Sequence, residues 1–340
     1  MIYFINYRNN SQVKYLASAA KRSGIPCVYA EFERSFITID DKKILLNNNE
    51  IRPGSVIYYH GINFEFPVVP HIPADTDYRL HQDFHLAQQF TTSHLYSFLY
   101  ALSCRNDVTI VNNFNKLKEL EIRSLILQKL KDFSFPVPGF AVLNYYDKET
   151  AEKLSGENKF ILWSNIKTGM PVKPLNKERV NELFTVKSHI PLVLYEAKQG
   201  RRVRCIFYNG APLLIVYVNG VSEKAYKEEL ESFVYAVPDD SLKEMGKALT
   251  GIFGIRLFEI EGILDNDNEF WFYDISFDPV FMQYKKGNKY IALKLLEMFS
   301  EQTGSKVSLG PAINGKEVRE TIFNKRMLQQ LFEINRAAAG

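Results

Sequence analysis

Leu257-Phe-Glu-Ile-Glu-Gly-Ile-Leu264, then Asp265-Asn-Asp-Asn268, then Glu269-Phe-Trp-Phe-Tyr-Asp-Ile-Ser-Phe-Asp-Pro279 is the stretch that decides the fold. Its two outer runs are rich in aromatic and β-branched residues, and Asp and Asn fill the gap between them. That pattern reads as a β-hairpin. Residues i and i+2 of a strand point to the same face. Asp274, Ser276 and Asp278 therefore line one face, and the hairpin returns Glu261 beside them. Oxygen ligands converging from two adjacent strands suit a Mg²⁺ ion that bridges nucleotide phosphates. The plainer reading of the same alternation is a solvated strand face carrying acids.

Working outward, the second half of the chain is strand-rich. Phe160-Ile-Leu-Trp163, Leu192-Val-Leu-Tyr195, Val203-Arg-Cys-Ile-Phe-Tyr208 and Leu213-Leu-Ile-Val-Tyr-Val218 all read as strands. Asn209-Gly210 is a strong hairpin signal between the last two. Helices are expected at about 177–185, 239–253, 288–302 and 316–335, which makes an α+β lobe on antiparallel sheet. The first third differs. Residues 2–7 form a strand, Ser11 caps a helix from Gln12 to Ser23, and Gly24-Ile-Pro26 breaks it before the strand Val28-Tyr-Ala30. This βαβ opening predicts an open parallel α/β layer. A small hairpin at 37–46, a strand at 55–59, a loop from His60 to Thr76, a helix from Tyr78 to Cys104 and a strand at 108–111 follow. A helix from Leu117 to Lys131 then ends before Phe135-Pro-Val-Pro138, since proline cannot continue it.

Composition narrows the function classes. Of 340 residues, 42 are Lys or Arg and 39 are Asp or Glu, a net charge of +3, which argues against a dedicated nucleic-acid binder. At 46% apolar and 24% charged the chain is not disordered. No run of about 18 apolar residues suggests a membrane span. Three scattered cysteines, Cys27, Cys104 and Cys205, read as free thiols, and a reducing, cytoplasmic setting is expected. The P-loop, nucleophile-elbow and dinucleotide fingerprints are missing.

The hairpin resembles the metal-binding hairpin of the ATP-grasp ligases. There an acid is followed about thirteen residues on by Glu-x-Asn and then a Pro. Here the pattern is Glu261, Asp274-Ile-Ser276 and Pro279. The order of the other elements agrees. Phe135-Pro-Val-Pro-Gly-Phe140 is similar to the family's turn between two lobes. Pro191-Leu-Val-Leu-Tyr-Glu196 resembles the linker strand that holds adenine, and Gly200-Arg-Arg-Val-Arg204 resembles the Gly-x-Asp-x-Arg segment after it. Within the family the likeness is greatest to the peptide-modifying graspetide (microviridin-type) macrocyclases. The cue is the long helix after Tyr78-Arg79, then Ile110-Val-Asn112 before the next helix.

The resemblance implies an ATP-grasp fold, α/β and α+β, with an N-terminal open α/β (pre-ATP-grasp) domain at 1–112. A central small lobe at 113–188, a C-terminal lobe with the metal hairpin at 189–304 and a helical tail at 305–340 complete it. It implies ATP and Mg²⁺ as cofactors, with Glu261, Asp274 and Ser276 as metal ligands. Arg204 would contact the transferring phosphate. Arg123, Trp163, Lys167, Tyr195 and Glu196 would line the nucleotide site. Several of these depart from the pattern: Arg123 and Trp163 stand at the two lysine positions, Arg202 stands at the acid of Gly-x-Asp-x-Arg, and Ser276 replaces Asn.

The function implied is an ATP-dependent carboxylate–amine or carboxylate–hydroxyl ligase. It would act through an acyl phosphate on a peptide or amino-acid substrate in RiPP biosynthesis. The alternative is a catalytically degenerate ATP-grasp protein that binds a peptide or partner enzyme and forms no bond. Homodimerisation is common in the resembled family. Of the remaining signals, His81 and His85 share a helix face but lack a third zinc ligand. Ser222–Glu231, of mixed charge, reads as a solvated face or a lid, and Cys205 reads as core.

Overall fold

The computed structural model describes residues 1–7, 9–40, 43–60, 78–120, 123–143, 149, 152, 160–162, 173–174, 192–219, 232–236, 241–267, 269–284 and 287–310. They fall into two compact units, one drawn from 1–119 and 281–310, the other from 120–280.

The first unit is built on a parallel sheet. Strands β1 (Ile2–Asn6), β2 (Cys27–Glu31), β6 (Val56–Tyr59) and β7 (Thr109–Val111) lie in the order β2-β1-β6-β7, every pairing parallel. β1 and β6 are buried at every position, as expected of parallel strands covered on both faces. The opening helix spans Ser11–Arg22. Its cap is Asn10, one residue earlier than expected: the Asn10 carboxamide accepts from the Gln12 and Val13 backbone N–H groups. Helix Tyr78–Ser103 places Leu95, Phe98, Leu99 and Leu102 against the sheet core. Strands β3 (Ile37–Ile39), β4 (Ile44–Leu46) and β5 (Asn49–Glu50) form a small antiparallel sheet. Helix Gly287–Gln302 packs in this unit, on helix Ser11–Arg22.

The single helix expected at 117–131 is instead two, Phe114–Glu119 and Arg123–Asp132. The first starts early because the Asn113 side chain accepts from the backbone N–H of Asn115 at 3.0 Å and caps it.

The second unit holds two antiparallel sheets. The smaller orders β10 (Lys173–Pro174), β9 (Phe160–Leu162), β11 (Leu192–Glu196) and β8 (Phe140–Leu143). The larger orders β14 (Ser232–Ala236), β13 (Ala211–Asn219), β12 (Arg201–Tyr208), β15 (Leu257–Leu264) and β16 (Phe270–Ser276). The β12–β13 turn is Asn209-Gly210, both in the left-handed region at φ 52° and 78°, which matches the right-handed strand twist. Helix Ser241–Phe253 packs on β13, with Gly246 above the Phe207 ring. The expected helices at 177–185 and 316–335 and the segment 222–231 lie outside the described residues. Among the described residues no helix is long and apolar enough to cross a membrane.

Candidate functional site

The site is a consequence of period-2 alternation on β12 and β15. One face of β12 carries Val203, Cys205 and Phe207, and the matching face of β15 carries Phe258 and Ile260. All of these are buried, and Phe207 stacks on Phe258 at 5.0 Å. Burial pushes the Cys205 thiol well up, as a core thiol requires, and the Glu259 charge adds to it. The opposite face carries Arg202 and Arg204 on β12, then Glu259 and Glu261 on β15.

The strand register sets the partners. Arg204 pairs with Glu261 across β12–β15, and Glu261 pairs with Asp274 across β15–β16. Ser276 lies opposite Glu259. The hairpin thus brings together the three expected metal ligands and Arg204, and adds Glu259 and Arg202. A bulge follows Glu261, after which Gly262 pairs with Phe272. A Cβ on Gly262 would stand 2.2 Å from the Trp271 carbonyl oxygen and 2.5 Å from the Phe270 ring, so only glycine admits this approach.

The charged face is unusually buried. Arg204 has 5% of its side chain exposed and Glu261 11%. The Arg204 Nε lies 3.0 Å from Glu261 Oε1 and 3.9 Å from Glu259 Oε1. The Arg202 guanidinium donates to the same Glu261 oxygen through Nε and is ion-paired with it through Nη2. Burial alone pushes the Glu261 carboxyl up, but the Arg204 and Arg202 guanidiniums outweigh it and hold it below the usual carboxylate range. Arg202 and Arg204 thus share one sheet face with Glu259, Glu261 and Asp274.

The linker strand ends against this hairpin. Tyr195 is fully buried, its ring 5.3 Å from Tyr273 and 6.5 Å from Phe140, so its side chain is core. Tyr273 donates its hydroxyl to the Glu196 carbonyl at 2.7 Å and accepts from the Lys198 N–H at 2.9 Å. Burial pushes that phenol up to about 12, and it remains a donor across the neutral range. Exposed Ala197, between the two tied residues, makes no backbone hydrogen bond to a described residue. The Glu196 carboxylate accepts from the Gly139 N–H at 3.3 Å and pairs with Lys198 at 3.1 Å. The proline turn docks on the same hairpin: the Phe272 N–H donates to the Pro136 carbonyl at 2.8 Å, and Phe135 meets the Phe272 ring edge-on.

Arg123 opens helix Arg123–Asp132, and its side chain lies outside the described residues, as do Trp163 and Lys167. Among the described residues, no group of three or more His, Cys, Asp or Glu comes together to hold a metal. A Mg²⁺ ion that retains waters and takes one or two carboxylates with substrate phosphates does not need such a cage. The fit of the carboxylates is specific. Both guanidiniums converge on Glu261 Oε1, and Asp274 stands opposite Glu261 on β16. Sequence reasoning missed Glu259, Arg202 as an ion-pair partner and Tyr273. Arg202-x-Arg204 and Glu259-x-Glu261 were the signal: opposite charges alternating at period 2 on two strands.

No protein-family model matches the sequence, and no curated protein matches it. Solved structures do. The ATP-grasp ligase PsnB complexed with a minimal precursor, Mg and ADP is similar at 14% identity and TM-score 0.67, over 89% of this chain and 98% of that one. The macrocyclase MdnC from Microcystis aeruginosa MRC, bound with precursor peptide MdnA, is similar at 12% identity and TM-score 0.65, over 88% and 99%. A Chryseobacterium gregarium RiPP-associated ATP-grasp ligase, in complex with ADP and a leader and core peptide, is similar at 12% and 0.63, over 88% and 96%. The chain has the ATP-grasp fold.

Proposed function

We propose that the protein is an ATP-dependent ligase that joins a carboxyl group to an amine or hydroxyl of a peptide through an acyl phosphate. The observation that carries this reading is the Arg204–Glu261–Asp274 row across β12, β15 and β16 in a chain of ATP-grasp fold. The peptide substrate is supported by the structural neighbours bound to precursor peptides.

A carboxylate is a poor acylating agent. In the proposed reaction a substrate carboxylate oxygen attacks the γ-phosphorus of ATP, and ADP leaves with the bond electrons. The amine or hydroxyl then attacks the acyl carbon, phosphate departs, and the nucleophile's proton is released. Asp274, Glu261 and Ser276 would hold Mg²⁺, which supplies charge neutralisation for the phosphates when bound. Arg204 lies behind Glu261 in the same row and orients it. Its guanidinium would also add fixed positive charge toward the phosphates. The Ala197 backbone, flanked by the Tyr273 ties, is left to meet the adenine edge. Arg123 and Lys167 are the further cations proposed for the phosphates, and segments 113–188 and 189–304 the two lobes that enclose them.

The test is to incubate the protein with Mg-ATP and acid-rich candidate peptides. Peptide loss of one water per bond formed, with ADP release and a hydroxamate on trapping with hydroxylamine, is the result expected. ATP and peptide binding without water loss or hydroxamate would move the protein to the binding-only alternative.

A further inference from the structure

The hairpin that carries Asp274 is irregular at the residue before it. Glu261 lies opposite Asp274, but the next residue of β15, Gly262, lies opposite Phe272, so Tyr273 is the extra residue of the bulge. A bulge re-aims the side chain at such a position. The Tyr273 ring is fully buried beside Tyr195, and its hydroxyl reaches the linker after β11. There it donates to the Glu196 carbonyl at 2.7 Å and accepts from the Lys198 N–H at 2.9 Å. Both bonds meet on one oxygen.

Those two bonds fix the residue between them. A trans peptide is planar, and its C=O and N–H point opposite ways. The Glu196 carbonyl points at the Tyr273 hydroxyl, so the Ala197 N–H of the same peptide points away from it. The Lys198 N–H also points at that hydroxyl, so the Ala197 C=O of the same peptide points away too. Ala197 thus holds a donor and an acceptor side by side on an exposed stretch, the disposition with which a strand residue meets a hydrogen-bonded partner. Neither group makes a backbone hydrogen bond to a described residue. The tied residues are held by their side chains as well. Lys198 pairs with Glu196 at 3.1 Å and lies 4.1 Å from the Trp271 ring centroid.

A donor beside an acceptor reads the polarity of what it meets. Adenine carries an amino donor at position 6 beside the bare N1 acceptor. Hypoxanthine carries a 6-oxo acceptor beside an N1–H donor, the reverse order on the same ring. A triphosphate anchored at the metal fixes which group of the pair each ring position meets, so one polarity fits and the other does not. We infer that Tyr273 is a positioning residue for base selection: it aims the Ala197 N–H and C=O as one pair that takes a 6-aminopurine and rejects a 6-oxopurine. This rests on the proposed ATP site and adds a base-selecting residue to it.

The experiment is calorimetric titration of the full chain, with Mg²⁺ present, by ATP, inosine triphosphate and inorganic tripolyphosphate, which has no base. The wild type is expected to bind ATP at least about tenfold more tightly than inosine triphosphate, whose edge mismatches the pair. Tyr273→Phe keeps the ring and loses both ties. It is expected to bring ATP to within about threefold of inosine triphosphate and to leave tripolyphosphate affinity as in the wild type. A role in packing alone would weaken all three ligands alike or none of them, and either result overturns the inference. So does a wild type that shows no preference for ATP over inosine triphosphate. Ala197→Pro removes the N–H of the pair at an exposed position and is the second variant should Tyr273→Phe fail to fold. It is expected to lose the same preference, and a retained preference overturns the inference. If neither variant folds, the wild-type ratio decides. Absence of binding by all three ligands is a different outcome and removes the ligase reading itself.

Discussion

The two main sheets of this chain solve burial in opposite ways. In the parallel sheet of the first unit, β1 and β6 are buried throughout, and the polar side chains buried in and beside them include Asn6 and Gln12, which carry no formal charge. Gln12 donates to the Tyr58 hydroxyl at 2.9 Å, and Tyr59 donates to the Asn112 carbonyl at 2.5 Å. In the antiparallel sheet of the second unit, one face is equally apolar but the other buries two guanidiniums among carboxylates. A neutral bond contributes about 1 kcal/mol, and its loss is local. A buried charge depends on every partner around it. The first sheet is a scaffold that tolerates polar edits, whereas the second is a coupled unit that does not.

The largest expected effect follows from breaking that unit. Arg204→Ala leaves Glu259 and Glu261 short of a cation and should cost about 3–5 kcal/mol in denaturant unfolding. A loss near 1 kcal/mol would place the charged face on the same footing as the first sheet. The same contrast has a pH form. Because the folded-state Glu261 carboxyl is held low, its contribution is present above the unfolded value of roughly 4.3 and is lost as pH falls through the folded value. Acid unfolding should therefore be steeper in the wild type than in Glu261→Gln below about pH 4.

Gly262→Ala comes next. Its Cβ would meet the Trp271 carbonyl at 2.2 Å and force β15 and β16 apart, at about 3 kcal/mol, the upper end of the overpacking range. Weakened nucleotide binding in calorimetry would show that the Glu261–Asp274 register has shifted. Tyr273→Phe removes both ties to the linker, and about 1–2 kcal/mol of stability with them, and should raise the KM for ATP more than it lowers kcat. Asn10→Ala, the control from the first unit, should cost about 1 kcal/mol by thermal melting and leave nucleotide binding unchanged.

Much of this difference is legible in the sequence. The apolar runs of β1 and β6 announce a covered parallel sheet, and Asn209-Gly210 announces the β12–β13 turn. The hairpin that joins Glu261 to Asp274 is readable from its turn residues alone. What escapes is pairing between strands distant in sequence. Nothing local says that Arg202 and Glu261, 59 residues apart, share an oxygen. That follows from β12 lying beside β15, a long-range register. The bulge at Gly262 escapes too, because the turn residues do not fix where the hairpin register shifts. Asn10 and Ser11 are both good caps by residue type, and only backbone geometry separates them. Tyr195 packs its ring against Tyr273, a contact 78 residues distant in sequence that no local pattern announces.

The central claim is that the charged face of β12, β15 and β16 is a nucleotide site. Calorimetric titration of ATP into the wild type and Asp274→Ala, with Mg²⁺ and with the metal chelated, tests it most directly. Binding that requires Mg²⁺ and is lost in Asp274→Ala is the result expected. Wild-type protein that ignores ATP, or a variant that binds it as well as the wild type does, would contradict it.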